Sequence, residues 1–187
     1  MFYYSGHGFS YKEDEAHKYP QLALKIDLTI EDEKLIKAST KNIEEIFETI
    51  KAKDARLNVV ISDCCNNLIP YYRRKPNTIA TTREPAKGPN RVEMANLFLK
   101  NKGSILMSAA TKGQVALTDE ELGSIYTFQL SNKLIAALWG NANNVTWEQI
   151  ITQTNMATSN MSKGYDCGET NKPSPCFQEP IYKLELR

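Results

Sequence analysis

The chain has almost no net charge: 23 Lys and Arg against 22 Asp and Glu leave +1 over 187 residues. A balance this close gives no overall electrostatic pull toward nucleic acid or an anionic membrane, so neither is an expected partner. Long apolar runs are missing as well. Apolar stretches such as Leu57–Ile61 and Ile105–Met107 fall far short of the ~20 residues that a membrane-spanning helix needs, and a soluble protein is expected. Met1-Phe2-Tyr3-Tyr4-Ser5-Gly6 shows no basic region followed by an apolar run and a small-residue cleavage site, so a cytoplasmic location is favoured. Cysteine is scarce. Four in the whole chain exclude a cysteine-dense disulfide scaffold. No CxxC or HxxxH spacing occurs, which leaves no zinc-ligand pattern and no expected metal. Internal repeats and low-complexity segments are also absent.

What is there suits a globular fold. Apolar residues make up 41% and charged residues 24%, enough for a packed core under a solvated surface, and at ~150 residues per domain the length gives one domain, 1–187. Aromatic Phe2–Tyr4 reads as a strand ended by Gly6 and Gly8. Phe9–Pro20 is polar and reads as a surface loop, and Leu22–Leu28 as a short strand. Ile43, Ile46, Phe47 and Ile50 keep the i, i+3, i+4, i+7 spacing of an amphipathic helix, with Asn42 as its cap. Leu57–Ile61 is the β-branched run of a buried parallel strand. Pro70–Asn90, with Arg73, Arg74, Lys75, Arg83, Lys87 and Arg91 in and beside it, reads as a flexible basic loop over about 70–92. Beyond it a short helix over Glu93–Lys100, a strand over Gly103–Ser108, a helix starting near Ser124 and a helix opened by the Thr146/Gln149 capping box are expected. The alternation predicts an α/β fold, a three-layer αβα sandwich around a mostly parallel sheet with helices on both faces.

Two segments carry reactive side chains just past the carboxyl ends of predicted strands, where ligand sites form in open α/β sheets. One is Tyr4-Ser5-Gly6-His7-Gly8, the other Val60-Ile61-Ser62-Asp63-Cys64-Cys65. Adjacent parallel strands would bring His7 and a cysteine together. An imidazole can take a thiol's proton and return it to a leaving amine, which is the chemistry of acyl transfer.

These segments resemble the caspase and metacaspase superfamily of cysteine peptidases, in its metacaspase-like form. There the histidine lies in an aromatic strand followed by Ser-Gly-His-Gly, and the nucleophile follows a hydrophobic strand as Asp-x-Cys, which Asp63-Cys64-Cys65 matches. The separation of 58 residues between His7 and Cys65 is near the ~50 of that fold. Gly103–Ala110 is similar to the family's next strand and substrate loop, Gly123-Ser124-Ile125-Tyr126-Thr127 to a Gly-x-Phe-Thr helix start, and Gln178-Glu179-Pro180 to a Gln-x-Pro near the end.

The resemblance implies Cys65 as nucleophile, His7 as general base and acid, and the N–H groups of Gly8 and Cys65 as the oxyanion hole. It implies a substrate site lined by Ser5, Asp63, Ser108 and Ala109, a protein or peptide substrate, and cleavage after Arg or Lys, since a carboxylate at the pocket base favours a basic side chain. A basic loop in such an enzyme would be open to self-cleavage. The family also has two strands and two helices before the histidine strand, so N-terminal strands are expected to be missing here. Alternatives stand beside this reading: a weakly active or inactive caspase-fold interaction module, or a narrow-target protease of a microbial defence system. Cys64 reads as a small buried hydrophobe, His17 has no catalytic context, and Asp63 could instead cap a turn. Cys167 and Cys176 could pair as a disulfide or stay free. No cofactor is implied except calcium, on which several resembled members depend; the acidic runs Glu13–Glu15 and Asp119–Glu121 lack EF-hand spacing and read as solvated faces.

Overall fold

The computed structural model describes residues 1–12, 14–24, 33–67, 88–140, 142–168, 172 and 174–187. Along the chain these form β1 (Phe2–Ser5), β2 (Gly8–Phe9), β3 (Gln21–Ala23), α1 (Glu33–Ala38), β4 (Thr40–Asn42), α2 (Ile43–Lys51) and β5 (Leu57–Asp63). Then come α3 (Arg91–Met94), which runs into a π-helical turn at Ala95–Leu99, β6 (Gly103–Ser108), β7 (Thr118–Asp119), β8 (Gly123–Ser124), α4 (Ile125–Trp139), α5 (Trp147–Ser162) and β9 (Ile181–Leu186). The central sheet has the order β1-β5-β6-β9. β1, β5 and β6 pair in parallel, and β9 closes the far edge antiparallel to β6. The fold is therefore the expected α/β sandwich on a mostly parallel sheet.

Strand alternation splits the core into two layers. Val59, Ile61, Ile105 and Met107 point to one face and pack with Leu97, Tyr126, Leu130, Leu138, Trp147, Ile150 and Ile151 from the π-helical turn, α4 and α5. Val60 and Leu106 point to the other, against Ile43 and Phe47 of α2 together with Tyr19, Leu22 and Cys64. Each such fully buried side chain contributes roughly 1.5–3 kcal/mol. Asn42 caps α2 by accepting the Glu44 N–H, and Thr146 and Gln149 form the reciprocal capping box of α5. Gly103 starts β6 at a φ of +133°, so close to the Glu185 carbonyl of β9 that any Cβ would overlap it; only glycine lets these strands meet there.

Several expectations change. Of the strand expected over Leu22–Leu28, the described residues show Gln21–Ala23, and 25–28 lie outside the description. Phe9 is no loop residue but pairs with Gln21 in a small antiparallel sheet, β2-β3-β4. Most of the basic loop, 68–87, lies outside the described residues, and its expected end at about 92 falls inside α3, which starts at Arg91 behind the Asn90 cap. Ile135 of α4 is 42% exposed. β9 was not expected at all. Among the described residues no helix is long and apolar enough to cross a membrane.

Candidate active site

The carboxyl ends of the parallel strands are in step: Ser5 faces Asp63, and Ser62 faces Ser108. The loops that leave them, 6–8, 64–67 and 109–117, lie together at one edge of the sheet. The first two are laced by backbone. Ser10 N–H donates to Asn67 O at 2.8 Å, and Ser10 Oγ donates to Asn66 O at 3.0 Å. Gly8 lies so near the 64–67 loop that a Cβ would meet Cys65 O at 2.6 Å and Cys64 Cβ at 2.9 Å. Glycine at this position is what lets the histidine loop rest on the cysteines. The Tyr4 hydroxyl lies 2.8 Å from His7 O and 2.9 Å from Ala23 O, and Ala23 N–H also donates to His7 O, so the backbone of His7 is fixed. Its imidazole is exposed and makes no hydrogen bond among the described residues.

Cys65 is half-buried. Its thiol donates to Ala116 O at 3.8 Å. Burial pushes this thiol's pKa up and the negative charge of Asp63 adds to the rise, while the local backbone of Ala116 works against it. The resting cysteine is thus a neutral thiol that needs a base to become nucleophilic. The Cys65 N–H has no backbone acceptor among the described residues. Cys64 is 2% exposed, packed in the α2-side core, and burial pushes its thiol well above the ordinary value. It has the burial of a small hydrophobe.

Asp63 is only 4% exposed. Its carboxylate accepts from Thr127 Oγ1, which is itself 2.9 Å from the Tyr3 hydroxyl. Burial raises its pKa, offset in part by the neighbouring Ser124 and Thr127 hydroxyls. The Ser124 and Tyr126 hydroxyls are buried here without a hydrogen-bond partner in good geometry, and the charge of Asp63 pushes Tyr126 further above its ordinary range after burial has raised it. Ser5 is exposed beside this group. Ser108 and Ala109 are both fully covered: the Ser108 hydroxyl turns to Ala110 O at 3.3 Å and Ala109 N–H donates to Ser62 O at 2.9 Å. The structure brings His7, Cys65, Ser5 and Asp63 to one edge, and it buries the side chains of Ser108 and Ala109 beneath it.

Sequence reading missed the residues that hold these loops. Asn66, wholly buried, donates from Nδ2 to Lys18 O at 2.9 Å and Ala110 O at 3.4 Å. Gln178, equally buried, joins Ala109 to Leu117. His17 does have a context: its Nδ1 lies 2.7 Å from Asp14 Oδ1, and burial notwithstanding, that contact and Lys112 draw the Asp14 carboxyl below its ordinary value. Asn66 directly after Cys65, Gln178 in the Gln-x-Pro match and Asp14 three before His17 were the available signals.

Cys167 and Cys176, nine positions apart in sequence, form a disulfide, one of the two outcomes left open by the sequence. Asp119 accepts from the N–H groups of Glu121 and Leu122 and from the Tyr165 hydroxyl. Its oxygens are committed to protein donors, so the 119–121 run does not fit a calcium site. Among the described residues no group of three or more His, Cys, Asp and Glu is placed to hold a metal ion; Glu13 of the other acidic run lies outside the description.

Comparison with curated proteins finds no match. The family model described as the caspase domain, however, matches residues 1–184, nearly the whole chain and every loop of the site. The chain therefore belongs to the caspase domain family of cysteine peptidases.

Proposed function

We propose that this chain is a cysteine endopeptidase that works through a Cys65–His7 dyad and cleaves after Arg or Lys. The observation that carries it is the lacing of the two loops: Gly8 rests on Cys64 and Cys65, with Ser10 bonded to Asn66 and Asn67. His7 takes the thiol proton, and the Cys65 sulfur attacks the scissile carbonyl carbon. The carbonyl electrons move to oxygen, where the N–H groups of Gly8 and Cys65 stabilise the negative charge. Collapse of the intermediate breaks the C–N bond, and the amine leaves with the proton from His7. Water then attacks the thioester, again deprotonated by His7, and the thiol is restored.

Specificity rests on Asp63. A guanidinium or ammonium reaching it would form a charge-assisted hydrogen bond with the carboxylate, and the unpartnered Ser124 and Tyr126 oxygens offer further acceptors. Ser5 lines the entrance. Peptide amides with Arg, Lys, Asp or Leu before the scissile bond test this: turnover of the Arg and Lys substrates, lost in Cys65→Ala, is expected, and preference for Asp or Leu would overturn the specificity. Many short basic substrates should be cut, whereas a narrow-target protease would cut few.

A second reading, an interaction module with weak or no activity, is favoured by two observations. The His7 imidazole has no hydrogen bond to Cys65, and Asp63 is covered. Iodoacetamide separates the two: in the peptidase replacing His7 slows the labelling of Cys65, and in the interaction module it leaves that rate unchanged.

A further inference from the structure

The 109–117 loop leaves β6, passes the nucleophile loop and ends before β7. Its backbone is held from both sides. On the inner side Asn66 N–H donates to Gln114 O at 2.9 Å, Gly113 N–H donates to Asn66 O at 2.8 Å, and the Cys65 thiol donates to Ala116 O. On the outer side Thr111 N–H donates to Glu179 O at 2.8 Å, Glu179 N–H donates to Gln114 Oε1 at 2.6 Å, and Gln178 spans both ends of the loop. Gln178 Nε2 donates to Ala109 O at 3.0 Å, and its Oε1 accepts from Leu117 N–H at 3.0 Å. One partner is an acceptor and the other a donor, so an uncharged amide in this one orientation satisfies both.

The carbonyl of Ala116 and the N–H of Leu117 belong to a single peptide unit. That unit is planar, and its C=O and N–H point in opposite directions. One end of it takes the Cys65 thiol; the other is gripped by a side chain that is 0% exposed. Gln178 in turn is seated by its own N–H, which donates to Ser162 Oγ at 3.2 Å. Cys176, two residues earlier, is buried and bonded to Cys167, and its N–H donates to Tyr165 O at 3.0 Å.

We propose that Gln178 is a positioning residue for the Cys65 thiol, acting through the Ala116–Leu117 peptide. By fixing that plane it fixes the direction of the thiol's acceptor and so the resting rotamer of the nucleophile. Resting on the peptidase reading, the inference adds a residue over a hundred positions from Cys65 to the machinery of the site. Small misplacements of a reacting atom are costly in rate.

The test uses infrared difference spectra, with the Cys65 S–H stretching band identified by its loss in Cys65→Ala. In Gln178→Leu, which has neither donor nor acceptor, the band is expected to move to higher frequency as the thiol loses its fixed acceptor, and kcat to fall about 10- to 100-fold with KM little changed. Gln178→Glu keeps an acceptor for Leu117 N–H and should restore the band and much of kcat. A Gln178→Leu protein that melts earlier but has the wild-type band and kcat would make Gln178 merely structural and overturn the proposal. Should that variant fail to fold, Ser162→Ala loosens the seat of Gln178, and the same band moving the same way supports the proposal while an unmoved band sinks it. Wild-type protein that cleaves no peptide would sink the peptidase reading and leave the band shift to be measured.

Discussion

The two loops that carry the proposed dyad are held in opposite ways. The Cys65 loop is tied by side chains and backbone alike: buried Asn66 bonds to Lys18, Ala110, Gly113 and Gln114, and the thiol itself has an acceptor in Ala116. The His7 loop is held by its backbone only, through Tyr4 and Ala23, and its ring is free and exposed. The place of Cys65 is thus built into the fold, while the exposed His7 ring can turn without disturbing a packed group.

The largest effects follow from this difference. Cys65→Ala should abolish turnover altogether. His7→Ala should cost about 10²- to 10⁴-fold in kcat with no loss of thermal stability, because the imidazole has no partner to lose. His17→Ala is the control. Its Asp14 contact orients a second histidine on a loop that touches Asn66, and a larger rate loss there than in His7→Ala would move the base from one loop to the other.

Next in size is the contact between the loops. A methyl group at Gly8 cannot be accommodated against Cys64 Cβ and the Cys65 carbonyl, so Gly8→Ala should force the loops apart, with a destabilisation of roughly 1–3 kcal/mol typical of overpacking. Gly6→Ala should be milder, since its Cβ would meet only the Tyr4 hydroxyl and ring, the nearest atom at 2.9 Å. Urea unfolding midpoints of the two variants measure this, and equal losses would show that the approach at Gly8 is not the special one.

The long periodic elements of this architecture were legible in the sequence, and the short or non-local ones were not. Helix α2 keeps a full apolar stripe, and β5 is a run of β-branched residues; both carry their burial in their local pattern. β9 does not. Ile181–Leu186 interleaves Lys183 and Glu185, charged residues whose partners, Glu48 and Lys51, come from α2 far along the chain. β2, β3 and β4 have two or three residues each, too few for any period to show. At the site, His7, Cys65 and Asp63 were legible because glycines and strand ends mark them. Asn66 and Gln178 were not, because a buried amide is recognised only by the carbonyls and N–H groups around it, and those come from segments up to 69 residues away. The burial of Ser108 and Ala109 was hidden for the same reason: β9 and the 178–179 segment cover them from the far end of the chain.

The smallest effect concerns the stem of the Cys65 loop and separates function from stability. Burial raises the Asp63 pKa above its ordinary value, whereas in the unfolded chain an aspartate titrates near ~3.9. Between those two values the folded protein binds a proton that the unfolded chain has released, so stability falls as pH rises through this window and stays reduced above it. Asp63→Asn removes the titrating group. Its Oδ1 can still accept from Thr127, and its Nδ2 can donate to the Ser124 and Tyr126 oxygens that now lack partners. The variant should therefore match the wild type in melting temperature at pH below ~3.9, exceed it by a growing margin as pH rises, and level off above the folded pKa. At the same time it should lose its preference for Arg and Lys substrates. A wild type that is the more stable of the two at neutral pH would mean that Asp63 is held by its hydrogen bonds as a structural anion, and that the Cys65 loop is tied at its stem by charge as well.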